Sequence, residues 1–236
     1  RGLALYVTSV LALGAALLAW LWIRTGDAAA FPVVPAAFWF FLTLASELFW
    51  LETPTRRGMI SMSLTVNVAT LFLLPPHLVL TVGAASVLVA DLLLHRRGLL
   101  RASFNAGQTV LSLGGALAAI RWLAGPGLAS GGEIALHAPL AAAAGPVVFF
   151  LLNTGLVAGV ISLHQGAPVV RAWRDNYGFA YQYLSSATLS LLGLLLVVAT
   201  EAVGYIAGLL FLLFFLFVRD AYQRYVQMRR AALRLE

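Results

Sequence analysis

The sequence predicts an all-α, polytopic integral membrane bundle of about eight transmembrane helices, with six to eight as the range and both termini cytoplasmic. Three observations carry that reading. Hydrophobic residues make up 61% of the 236 positions and charged residues only 10%. The mean hydropathy is +0.92. The basic residues fall in short loops between long apolar runs. A chain with so little charge cannot cover a water-facing surface, so the surplus apolar area must face lipid.

The runs follow in order. The first extends from Leu3 to Ile23 and closes at Arg24-Thr25-Gly26-Asp27; with no small-residue cleavage site after it, it reads as a retained span. The second, about Val34 to Leu51, ends in the polar stretch Glu52 to Gly58, and a third covers Ile60 to Leu74. Pro75-Pro76 stops the third, because proline lacks an amide hydrogen and keeps the preceding residue out of helical geometry. The fourth runs from His77 to Leu94 and the fifth from Phe104 to Ala124, closed by Gly125-Pro126-Gly127. The sixth is Leu136 to Leu163, with a kink or break expected at Gly145-Pro146. Phe179 to Thr200 and Val203 to Val218 complete the set, dividing the chain into a transmembrane domain, 1–218, and a cytoplasmic juxtamembrane helix, 219–236.

Every basic residue is arginine. With the C-terminal tail inside and eight crossings, all arginines except Arg24 and Arg121 fall on the cytoplasmic side, as the positive-inside rule requires of a bacterial inner-membrane protein. The same scatter argues against a nucleic-acid groove, since no basic stripe interleaved with aromatics forms. Cysteine is absent, which excludes disulfides and thiolate chemistry. A start at Arg1 rather than Met suggests a processed chain or a segment of a longer one. Between the sixth and seventh runs, His164 to Gly178 reads as an interfacial helix, with Val169, Val170, Trp173 and Tyr177 on one face and Arg171, Arg174 and Asp175 on the other.

Polar groups inside a bilayer are expensive, so each needs a partner or a task. Glu47, one turn before Glu52, and Asp91, one turn before His95, are expected near the cytoplasmic interface; His95, Arg96 or Arg97 can reach Asp91 as an ion-pair partner. Asn67, Asn105, Gln108, Asn153, Thr154, Gln182, Ser185, Ser186 and Thr188 lie deeper. Asn105 with Gln108, and Gln182 with Ser185, share helical faces. Two readings stay open: hydrogen bonds between helices, or a polar pocket for a small ligand built from Asn67, Asn105, Gln108, Asn153, Gln182 and Ser185. No zinc, nucleophile-elbow or phosphate-loop motif is present, and the four histidines stand at span ends, so neither an enzyme, a metal site nor a cofactor is expected.

Phe214, Val218, Ala221, Tyr225, Met228, Ala232 and Leu235 alternate at steps of four and three, a heptad seam running out of the last span. It suits parallel pairing with a second copy, giving a homodimer, or packing on the chain's own inner loops. Asp220 and Arg224 form an i,i+4 pair beside it.

The stretch Ser61-Met62-Ser63-Leu64-Thr65-Val66-Asn67, then Leu74-Pro75-Pro76, Asp91-Leu92-Leu93-Leu94-His95-Arg96-Arg97 and Phe104-Asn105-Ala106-Gly107-Gln108 resembles the MASE-type membrane input region of bacterial cyclic di-GMP signalling proteins. The resemblance covers about a quarter of the chain, Arg57 to Ala118. It implies a sensory domain whose C-terminal helix drives a GGDEF or HD-GYP output domain, for which 219–236 would be the start of the linker. A second expectation is a small-molecule-binding transporter subunit, similar in outline to the substrate-capturing components of energy-coupling uptake systems. A third is an accessory subunit of a larger membrane complex.

Overall fold

A computed structural model describes residues 2–25, 32–48, 50–52, 59–125 and 138–232. Arg56 and Arg57, the stretch 126–133, His137 and the seam position Leu235 lie outside them. Among the described residues the chain is helical apart from one pair of short antiparallel strands. Its helices are α1 (Gly2–Thr25), α2 (Val33–Ser46), α3 (Ser63–Leu73), α4 (Pro76–Val89), α5 (Leu99–Ala124), α6 (Pro139–Gln165), α7 (Val169–Tyr177), α8 (Ala180–Val203) and α9 (Ile206–Ala232). A π-helical turn, Ala90–Leu94, extends α4.

Among the described residues, five helices are long and apolar enough to cross a membrane: α1, α4 with its π turn, α6, α8 and α9. The 26-residue α5 is long enough but more polar. Its place explains this: α1, α4 and α6 all pack on it, so its surface meets protein rather than lipid. The α1 contact is close, because a Cβ on Gly14 would stand 2.9 Å from the Gly107 carbonyl oxygen. Small residues at such crossings let backbones approach and gain dispersion contacts, the main attraction available between helices in lipid.

The second and third runs end earlier than hydropathy suggests. Helix α2 stops at Ser46, and Trp50–Glu52 (β1) pairs antiparallel with Met59–Ser61 (β2), with Leu51 opposite Ile60. Apolar residues rich in aromatic and branched side chains suit a strand as well as a helix, so the run alone could not locate this boundary. Helix α3, only 11 residues long, is about 16 Å at 1.5 Å per residue. It lies buried among its neighbours, with Thr65 to Phe72 all enclosed, and this protein shell is what permits irregular backbone at both of its ends. Of the kink or break expected at Gly145-Pro146, the break does not occur. Helix α6 continues through Pro146, sacrificing only the hydrogen bond that proline cannot donate.

The main core joins Trp39 on α2, Val66 to Phe72 on α3, Leu78 to Val82 on α4, Leu113 on α5 and Leu196 on α8. Met62, Leu189 and Phe215 form a second cluster, which seats α9 against α8 and the start of α3.

Candidate functional site

The polar residues converge at one end of the bundle, where α4 gives way to α5 and α7 to α8. The π turn brings the chain round: His95 N–H reaches the Ala90 carbonyl at 2.9 Å, one residue further back than an α-helix would allow. Arg96 then takes a left-handed backbone, φ 50°, and Arg97 folds back on Asp91. The Arg97 amide donates to the Asp91 carbonyl at 2.8 Å. Its guanidinium Nη1 donates to Asp91 Oδ1 at 2.6 Å, and Asn105 Nδ2 donates to Oδ2 at 2.5 Å. Asp91 is 3% exposed, so its charge is held by α5 and the connecting turn rather than by water. Its close ion pair is with Arg97, while Arg96 is exposed. Burial, reinforced by the Arg97 charge and opposed by Asp91, holds the His95 imidazole below its ordinary pKa.

Gln108, one turn along α5 from Asn105, donates from Nε2 to the Asn153 carbonyl and to Asn153 Oδ1, both at 2.7 Å, tying α5 to α6. Gln108→Leu should cost about 0.6–1.7 kcal/mol, the range for such bonds between membrane helices; thermal unfolding in detergent checks it. On the next element, Trp173 Nε1 donates to Thr154 Oγ1 at 2.9 Å, which docks α7 on α6. The expected α7 face therefore divides. Trp173 and Tyr177 turn inward, whereas Val169 and Val170 stay exposed. Burial raises the Tyr177 pKa above its ordinary value, keeping the phenol a neutral donor.

These groups surround a cavity of about 280 Å³. Asn67, Asn105, Gln108, Asn153 and Gln182 line it together, though each comes from a different helix except the α5 pair. Ser185 is not among the lining residues; Ser186, one turn from Gln182, takes that place. Glu47 and Asp91, expected as interfacial anchors, also stand in the wall, with Arg97. Sequence reading passed over Ser63, Thr109, Tyr177, Phe149 and Phe150 as lining residues. Ser63, one turn from Asn67, and Thr109, one turn from Asn105, carried a spacing signal that could have found them. Asn67 is 4% exposed, and its carboxamide oxygen has no hydrogen-bond partner among the described residues.

The cavity is thus a carboxamide and hydroxyl chamber with two carboxylates, one guanidinium and an aromatic flank. It can recognise a small molecule by hydrogen bonds. Comparison with family models, curated proteins and solved structures finds no match to this chain.

Proposed function

We propose that the chain is a sensory input module of the bacterial cytoplasmic membrane, which binds a small molecule in the polar cavity and passes the change to its C-terminal helix. The observation that carries this reading is a shared wall. Leu64 and Leu189 line the cavity, and both also pack in the cluster around Phe215 of α9. A shift of α3 or α8 on ligand binding must therefore repack the seat of α9, and interlocked side chains transmit such shifts. Thr65 Oγ1 donates to the Leu189 carbonyl at 3.0 Å, which makes the two helices move as a pair.

Helix α9 suits the relay. It runs unbroken for 27 residues, and the seam positions Phe214, Ala221, Tyr225 and Met228 on it are exposed, whereas Val218 is half-buried against the cluster of Met62, Leu189 and Phe215. The side chain of Ala232 lies outside the described residues. A second copy in parallel register would cover this seam. The likeness of the central segment to MASE-type input regions supports a cyclic di-GMP enzyme domain as the recipient. In this reading the chain crosses the membrane eight times and keeps both ends at the arginine-rich face. A ligand-capturing transporter subunit is the rival that the cavity also suits; the exposed seam and the Leu189–Phe215 contact favour signalling.

Because the chain has no cysteine, single replacements report without background. Tyr225→Cys and Met228→Cys should give disulfide-linked dimers on mild oxidation of membrane vesicles, and Gln223→Cys, off the seam, far less. Equal yields at all three positions, or none at any, would sink the dimeric relay.

A further inference from the structure

The π turn sends two consecutive arginines in opposite directions. Arg97 folds inward onto Asp91, and Arg96 beside it is exposed. Among the described residues, Arg96 is the one non-glycine position with a left-handed backbone, φ 50°. A residue with a Cβ is disfavoured in that region, and residues held there cluster where a structure has a task for them. Glycine would fit the turn at less cost, so it is the side chain of Arg96 that asks for a reason.

Arg96 stands directly beyond the apolar stretch Pro76–Leu94, and α7 follows directly on the apolar helix Pro139–Gln165. Tyr177, at the end of α7, lines the same cavity as Arg97, so the two segments flank one end of the bundle. Arg96 and Arg101 on the first segment, and Arg171 and Arg174 on the second, are all exposed. Against them, among the described residues of 93–101 and 169–177, stands one exposed carboxylate, Asp175, 3.6 Å from Arg174. Positive charge is therefore in excess on this rim.

Apolar side chains are interleaved with these charges. Leu93, Leu99 and Leu100 are 66–70% exposed, and Val169 and Val170 are exposed on α7. A nucleic acid or an acidic peptide would cover the arginines and leave the leucines bare. A phospholipid at the ends of the spans covers both. Its acyl carbons lie over the leucines, and its phosphate meets a guanidinium whose planar fork matches phosphate oxygens. The surplus of positive charge selects an anionic lipid over a zwitterionic one.

We propose that the α4–α5 turn and α7 form a binding surface for an anionic phospholipid of the adjoining leaflet, with Arg96 as its phosphate anchor. The surface goes beyond the sensory reading and needs no ligand in the polar cavity, only that the apolar helices lie in a membrane. The test is native mass spectrometry of the full chain, released from micelles holding equal amounts of phosphatidylglycerol and phosphatidylcholine. Phosphatidylglycerol should be retained in preference, and the preference should shrink between about 0.05 and 0.5 M ammonium acetate as the charges are screened. Arg96→Gly removes the charge where the backbone already favours glycine, so circular dichroism should show the fold intact while the preference falls about fivefold. Arg171→Gln should lower it to a similar degree and reads the surface independently of how the turn folds. Arg121→Gln, in the last turn of α5 at the opposite end, should leave it unchanged. Equal retention of the two lipids, or equal losses for Arg96→Gly and Arg121→Gln, would overturn the surface. Loss at Arg171 with none at Arg96 would overturn the anchor. Displacement of phosphatidylglycerol by inorganic phosphate, or by an acidic peptide of matched charge, would overturn the lipid as occupant.

Discussion

Asp91→Ala should destabilise the bundle by about 3–5 kcal/mol, the cost of breaking a buried ion pair from one side. The carboxylate is enclosed and receives both Arg97 and Asn105. Its removal takes from a guanidinium and an amide the acceptor that they share in the cavity wall. Arg97→Ala should cost a comparable amount for the opposite reason, since it strands a buried carboxylate. The double variant should cost less than the sum of the two, because neither charge is then left alone. Unfolding of the purified chain in mixed micelles, followed by circular dichroism against rising sodium dodecyl sulfate, measures all three. Single-variant costs below about 1 kcal/mol would place the pair among exposed salt bridges and remove it as the organiser of the cavity.

The second large effect is expected at Gly193. A Cβ there would stand 2.7 Å from the Thr65 carbonyl oxygen and 2.7 Å from Val68 Cβ, so the obstacle is backbone and buried branch point rather than a movable tip. Gly193→Ala must push α3 from α8, at about 1–3 kcal/mol for overpacking, and Gly193→Val should cost more. The separation also stretches the Thr65–Leu189 hydrogen bond one turn away, so the loss extends to the wall shared by the cavity and α9. Gly155 on α6 is the contrasting position: no atom lies within 4 Å of its Cβ site. Gly155→Ala should be neutral or stabilising by up to about 1 kcal/mol, the ordinary helix preference for alanine. Similar losses at both glycines would mean that the α3–α8 approach has no special tightness.

Much of the helical framework is legible in hydropathy because lipid imposes a simple rule: backbone must be paired internally and side chains must be apolar. Runs such as Leu3 to Ile23 have few alternatives. The rule loses force where protein replaces lipid as the neighbour. That is why α3 can be short, why α5 can be polar, and why Phe49-Trp50-Leu51 reads as more helix although the structure ends α2 at Ser46. The cavity divides in the same way. Polarity in apolar runs singles out Asn67, Asn105, Gln108, Asn153 and Gln182, but only tertiary packing decides that they face one another. Spacing along a single helix cannot separate Ser185 from Ser186, nor choose Arg97 over His95 and Arg96 as the close partner of Asp91. The tyrosine of α7 and the two phenylalanines of α6 were invisible as lining groups because aromatics suit any membrane helix.

The π turn after α4 makes the counting of residues itself a determinant of the site. A loop that closes on the fifth residue instead of the fourth holds one more position per revolution, and that surplus position is what lets the arginine arrive opposite the carboxylate. Most substitutions at the lipid-facing Leu93, 70% exposed, leave the spacing untouched, whereas deleting that single leucine would rewind the segment and carry Arg97 off its partner. Length, more than chemistry, guards this corner of the molecule.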